Sequence, residues 1–318
     1  MESKDTMADG WGDTPGASPR ELVLPRQYAP ASHLNRAGAK LRGANFSGEN
    51  LARANFTRAD LRGANLERAQ LISARMADIN LSGASLAHAN LAAASLRRGN
   101  LLGAVLMWAN LTQANLAQAN LGGANLTEAE LDEANLTESD LSNTMLRRAR
   151  LVGANLTRAH MHRVHANGGE LYGIKGHGAQ LYQAHLQACD LRQADLTQAN
   201  LTQADLTSAN LNQANLTGAN GTGATFQKAN LTWANLTHTT LTAVNFQQAI
   251  LDHAVLIKTE LSGANFYGAR LDHATIQGSH LRGVLWHRTS VQGTVFCNVV
   301  GLTGLEKAWL RSQGAIIH

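Results

Sequence analysis

The 318-residue sequence has few aromatic residues, 5%, and little charge, 16%, yet 44% of it is hydrophobic. The apolar mass is therefore aliphatic and small, which excludes an ordinary globular core built around large rings. Proline is confined to Pro15, Pro19, Pro25 and Pro30, so no strong breaker interrupts the chain beyond them. The two cysteines, Cys189 and Cys297, exclude a disulfide framework, match no zinc or redox spacing, and suit a reducing, cytoplasmic setting. No run of eighteen apolar residues occurs and the polar first residues lack a secretory pattern, so neither a membrane span nor a leader is expected.

What is present is a period of five. From Leu41 to Phe296, 44 of the 52 positions at this spacing are Leu or Phe, and the exceptions are Met76, Met161, Ala166, Gly176, Gly221, Ile276, Trp286 and Val291. Two residues earlier Ala fills 36 of the 52, so each pentad offers one large and one small inward side chain. A helix would smear these leucines around its circumference, and an ordinary strand would alternate every two residues. A square coil with one pentad per side accounts for the pattern: four sides make twenty residues, and stacked coils bury what a single coil exposes.

The pentads ANLTQ, ADLTQ, ANLTG and ANFTR resemble the pentapeptide-repeat family, with its A(N/D)LXX consensus, over residues 39 to 298. The resemblance implies an all-β solenoid, a right-handed quadrilateral β-helix. Residues 41 to 300 would form about 13 coils, roughly 60 Å long at the strand spacing of about 4.8 Å. Residues twenty apart become vertical neighbours. Asn115, Asn135 and Asn155 are then expected to form a side-chain amide ladder, and the column from Gly43 through Gly63, Gly83 and Gly103 to Gly283 marks a corner with positive φ. Residues 1–33 carry all the prolines and no repeat and read as mostly disordered. In 301–318, Thr303 and Glu306 have capping-box spacing, and a short α-helical cap is expected over about 304–312. Terminal helices mediate dimers in some members of the family, so Leu305 and Trp309 are read as cap or homodimer contacts, with the cap preferred.

Between 39 and 298 the pentads leave no insertion long enough for catalytic loops, and no glycine-rich phosphate loop or metal-protease helix occurs, so the chain reads as no enzyme, without cofactor or metal. Residues 161–180 keep the register but exchange volume between inward positions, with Val164 and Ile174 large and Ala166 and Gly176 small. His160, His162, His165, His177 and His185 gather there at outward positions and read as solvated or hydrogen-bonded rather than metal-ligating.

Charge is banded. Residues 121–140 hold Glu128, Glu130, Asp132, Glu133, Glu138 and Asp140 with no cation, whereas Arg147, Arg148, Arg150, Arg158, Arg163 and Lys175 face Glu170 alone in 141–180. The twenty-residue spacing predicts the pairs Glu128–Arg148, Glu130–Arg150, Arg150–Glu170 and Glu138–Arg158. An apolar patch of Val105, Met107 and Trp108, with Leu102 on the preceding side, stands out on a Thr, Gln and Asn surface. The reading that asks least is a rigid scaffold for an unidentified protein partner. The family resemblance also implies binding to DNA gyrase by mimicry of duplex DNA, but the chain is formally +4 and has no continuous acidic stripe. Direct nucleic-acid binding through the arginine belt is weaker still, because +4 is mild over this length and few aromatic residues interleave with the cations.

Overall fold

The computed structural model describes residues 34–318. The expectation for residues 1–33 lies outside the described residues. From Asn35 onward, parallel bridges join residues twenty apart, Asn35↔Asn55 and Lys40↔Asp60 at one end and His280↔Val300 at the other. Four pentads therefore close one coil. We name the four sides by their first large inward residues, Leu41, Phe46, Leu51 and Phe56.

The pentad makes this geometry because its two inward residues flank an outward one and its other two residues turn the corner. Ala44 N donates to Leu41 O at 3.1 Å, closing a β-turn, and the third residue of the turn is left-handed, with Gly43 at φ 64°. The expected glycine column is observed, but the requirement reaches every side: Trp108, Arg53 and His238, on the Phe46, Leu51 and Phe56 sides, sit at φ 56°, 61° and 60°. Such a conformation costs a non-glycine residue roughly 1–2 kcal/mol. It is held because the same backbone N–H is engaged with the next coil, as where Arg53 N donates to Ile72 O at 2.9 Å.

The Asn ladder is a correction. Asn115, Asn135 and Asn155 do stack through their backbones, but their side-chain oxygens turn inward along the chain and accept from Ala117 N, Thr137 N and Thr157 N at 3.1 Å. Capping the local turn satisfies an N–H that the corner leaves free, and at Asn135 and Asn155 the Thr137 and Thr157 hydroxyls also donate to the same oxygens at 2.7 Å. Amide pairs between coils do form elsewhere, Asn55 Nδ2 to Asn35 Oδ1 at 3.0 Å for one.

Inside, the large residues pile into four columns and are nearly all fully buried. On the Phe46 side the pile becomes aromatic: Phe226, Phe246, Phe266 and Trp286 stack with centroids 5.2, 5.0 and 5.3 Å apart. Gly221, in the Leu41 column beside the start of this pile, leaves its space to its neighbours: a Cβ there would lie 2.9 Å from Leu241 Cδ2 and 3.9 Å from Phe226 Cε2. Where Ser or Thr replaces the small Ala, its hydroxyl donates to a carbonyl, either of the coil below, as Thr144 to Leu121 O and Thr294 to Leu271 O at 2.8 and 2.7 Å, or of its own turn, as Ser139 to Leu136 O and Thr239 to Leu236 O at 2.7 and 2.6 Å. Cys189 uses the same position, its Sγ 2.9 Å from Ala166 O, and burial pushes its thiol up to about 12. The 161–180 coil holds its register through His165↔His185 and Lys175↔Asp195. At Gly176 an added Cβ would meet Leu196 Cδ2 at 3.0 Å, so the neighbour's methyl has taken the missing leucine's space, and an apolar cavity of only about 10 Å³ remains beside it.

Among the described residues regular strands occur only near the C-terminal end, on the Phe56 side: β1 (Val255–Ile257), β2 (Thr275–Gln277) and β3 (Val295–Cys297), paired in parallel. Helix α1 (Gly304–Ser312) follows, with the predicted Thr303–Glu306 capping box formed in both directions. The chain then returns as β4 (Ile316–Ile317), which pairs with β3 through Val295↔Ile316 and covers its open edge. The contact residues of the cap differ from expectation. Leu310 is fully buried and Trp309 is partly buried against the core, whereas Leu305 is 86% exposed. Docking of Leu310 turns Leu305 to the outer face.

Candidate interaction surface

The corner between the Phe46 and Leu51 sides gathers residues from two separate sequence features. His88, Trp108, Glu128, Arg148 and Gly168 are successive members of one corner column. The His88 ring stacks on Trp108 with centroids 4.8 Å apart and planes 8° apart. Trp108 Nε1 donates to Glu128 Oε2 at 3.1 Å, and Glu128 lies 3.8 Å from Arg148 Nη1. Above that, Arg148 Cγ occupies the space beside Gly168, 3.8 Å from where a Cβ would stand. The apolar patch and the basic band thus form one continuous strip. Val105 and Met107 are half-buried on the same side, Arg147 is exposed one coil-pair above Met107, and Leu102 is 52% exposed on the neighbouring Leu41 side.

The remaining belt residues point elsewhere. Arg158 meets Glu138 at 3.9 Å on the Phe56 side, as the vertical spacing predicts. Arg150 departs from it: its Nε reaches Asp132, diagonally below, at 2.6 Å rather than Glu130 or Glu170. That carboxylate holds the guanidinium more firmly protonated. Arg163 donates to Gln183 Oε1 at 2.9 Å, and Lys175 has no ion pair among the described residues. The belt therefore encircles the rod. Glu128, Glu133 and Glu138 form a ring of corner carboxylates, and below them Trp108, Gln113 and Gln118 each donate to one, at 3.1, 2.8 and 3.0 Å. Most of the acidic band is engaged in holding coils together. Elsewhere the same device recurs: Arg98 clamps Asp78 at 2.7 and 2.8 Å, keeping that carboxyl below its ordinary range.

One feature carries no period-five signal, though a reading in rows of twenty would reveal it. Trp233, His253 and His273 form a surface ring stack on the Leu51-side corner, with centroids 4.1 and 5.2 Å apart, and Trp233 is 57% exposed. The vertical placement of His165 below His185 follows from the twenty-residue register, and the two rings stack at 4.6 Å. Among the described residues no cluster of three or more His, Cys, Asp or Glu is arranged to hold a metal, and no helix is long and apolar enough to cross a membrane.

The family described as pentapeptide repeats matches in 8 copies, from 37–71 through 104–143 and 177–213 to 241–278. Among solved structures the chain is similar to HetL, a pentapeptide repeat protein involved in heterocyst differentiation regulation from the cyanobacterium Nostoc sp. strain PCC 7120, at 26% identity over 83% of this chain and 90% of that one, with a TM-score of 0.30. It is also similar to full-length QnrB1, a plasmid-mediated fluoroquinolone resistance protein, at 16% identity over 62% of this chain and 85% of that one, with a TM-score of 0.20. Rfr23 from the cyanobacterium Cyanothece 51142 shares 33% identity over 31% of this chain and 64% of its own, with a TM-score of 0.20. Among curated proteins none matches the chain. With the repeat matched over most of its length and a twenty-residue register on every side, the chain belongs to the pentapeptide-repeat family, whose fold is the right-handed quadrilateral β-helix.

Proposed function

We propose that the protein is a non-enzymatic rigid scaffold of about thirteen coils that holds a protein partner along its Phe46 side. The observation that carries this reading is the strip in which exposed Trp108 is locked between His88 and Glu128 and continues directly into Arg148. Trp and Arg are the side chains that most often anchor interfaces. A ring already held in one orientation loses little freedom on binding, and so does a guanidinium steadied by a carboxylate. Charge favours this reading over mimicry of duplex DNA, which needs an uninterrupted acidic stripe. Here the corner glutamates are interleaved with Arg148 and Arg158.

The test is affinity capture from lysate, with mass spectrometry, using wild type and a Trp108→Glu, Arg148→Glu double variant. Both changes lie outside the core, so the fold is retained, and a modest drop in melting temperature is expected from the lost His88 stack and the like-charged column formed with Glu128. One protein captured by wild type and lost with the variant is the expected result. Capture that is unchanged by the double substitution would remove the strip from the account, and gyrase subunits in the captured fraction would favour the topoisomerase reading.

A further inference from the structure

One concavity on the rod gathers cationic and neutral donors that nothing in the protein uses. Two parallel columns border it where the Leu41 and Phe46 sides meet. The corner column runs Asn143, Arg163, Gln183 and Gln203, and the facing column runs His165, His185 and Asp205; the depression between them measures about 350 Å³. Arg163 Nε donates to Gln183 Oε1 at 2.9 Å, and Gln183 Nε2 in turn donates to Gln203 Oε1 at 2.9 Å. This chain fixes the guanidinium plane while both terminal nitrogens of Arg163 stay without a partner among the described residues. The same holds for the Asn143 amide and for the ring nitrogens of His165 and His185. The two rings lie parallel, 8° apart, at 4.6 Å. Burial, then His185, then Arg147 hold His165 below the ordinary imidazole value. Two stacked imidazoles beside two guanidiniums repel one another once protonated, and an oxyanion among them would relieve that repulsion.

Asp205 is the one carboxylate on the wall; it stands directly above His185, whose charge it attracts, and neutral donors take up most of its remaining acceptor capacity. It accepts from Thr207 N at 2.9 Å, Thr207 Oγ1 at 2.6 Å and Gln187 Nε2 at 2.5 Å. It stands two coils from Arg163, roughly 10 Å at the strand spacing, and shields the far end of the depression more than the Arg163 end.

We propose that this depression is a binding site for a tetrahedral oxyanion, the phosphoryl group of a small ligand. The Arg163 fork takes two of its oxygens, as guanidinium does with phosphate, and the Asn143 amide and the imidazole N–H groups supply the remaining donors. Binding favours protonated histidine, so affinity rises as pH falls through the imidazole range.

The probes are phenyl phosphate, and inorganic sulfate, whose charge is constant across that range, each read against chloride at equal ionic strength by the imidazole NMR signals of the full chain. Saturable shifts of His165 and His185 are expected with both probes, with sulfate binding several-fold tighter at about pH 6 than at about pH 7.5. Arg163→Gln is expected to weaken binding about tenfold or more, and Asp205→Asn to strengthen it a few-fold. Both replacements are residue types the repeat already uses at those columns, as in Gln183 and Asn125, so the fold is preserved and melting curves check it. Shifts no larger than those with chloride would overturn the proposal, as would a response that survives Arg163→Gln. Binding of sulfate without phenyl phosphate would overturn the assignment to a phosphoryl group.

Discussion

Leu216→Asp is expected to abolish the cooperative unfolding transition of the central coils, while Thr217→Asp, one residue along, leaves it nearly unchanged. Leu216 is 1% exposed in the Phe56 column, between Leu196 below and Leu236 above. A carboxylate there has no donor within the core, so it must either stay protonated or open the stack to water, and either outcome costs several kcal/mol. Coil stability comes from its two interfaces, so a broken layer weakens both neighbours and the loss spreads along the axis. Thr217 occupies the first residue of the corner, half-buried, its hydroxyl on Asn215 Oδ1 at 2.7 Å. Asp132, Asp252 and Asp272 already occupy the equivalent position, so an acid there is compatible with the turn. Chemical denaturation of the two variants checks the contrast. Equal midpoints would mean that the inward and outward assignments are wrong.

The second large effect is expected at the C-terminal end. Leu310→Asp should undock α1, withdraw β4 from β3, and convert a monodisperse rod into a species that associates through its exposed edge. Leu310 is fully buried against the core, and β4 covers a backbone edge that would otherwise present unpaired N–H and C=O groups, Ile316 N donating to Thr294 O at 2.8 Å. Losing a buried leucine and burying a carboxylate together remove more than the short helix can supply alone, since a nine-residue helix is marginal in water. Light scattering during mild heating is the readout. Leu305→Glu serves as the contrast, because an 86% exposed side chain contributes nothing to the cap. A change in mass with Leu305→Glu alone would report two copies pairing through the outer face of α1. A Leu310→Asp protein that stays monodisperse and keeps its helix would remove the capping role.

Much of this architecture can be read from the sequence because a single rule repeats. Period five assigns Leu216 inward and Thr217 outward without any coordinates, and the twenty-residue row places Arg148 over Glu128 and Arg158 over Glu138. Where side-chain conformation decides, the rule stops. Arg150 reaches the diagonal Asp132 and not the carboxylates directly above and below it, and Asn135 Oδ1 accepts from both the backbone N–H and the hydroxyl of Thr137. The cap escapes the repeat altogether. Leu305 and Trp309 have the i, i+4 spacing of one helix face, but rotation about the helix axis is set by the pocket that receives Leu310, which the spacing does not encode. The aromatic stacks, Phe226 to Trp286 inside and Trp233 to His273 outside, were legible in principle; they require comparing residues twenty apart, while local periodicity registers them only as large or polar positions. The Trp108–Arg148 strip follows the same logic. Its two halves are forty residues apart in sequence and two coils apart in space, so it is visible only once the sequence is wound.

The winding of four pentads per coil is tested most directly by a distance between two outward sites. Thr137 and Thr237 lie at the same corner of the Phe56 side, five coils apart. Cys189 is buried and its thiol pushed up to about 12, so it should resist labelling, and Cys297→Ser removes the half-buried thiol. With spin labels at Thr137→Cys and Thr237→Cys, pulsed electron–electron resonance is predicted to give one narrow distribution near 24 Å, five times the strand spacing of about 4.8 Å. A broad distribution, or a maximum beyond about 40 Å, would contradict a square coil of four pentads per turn.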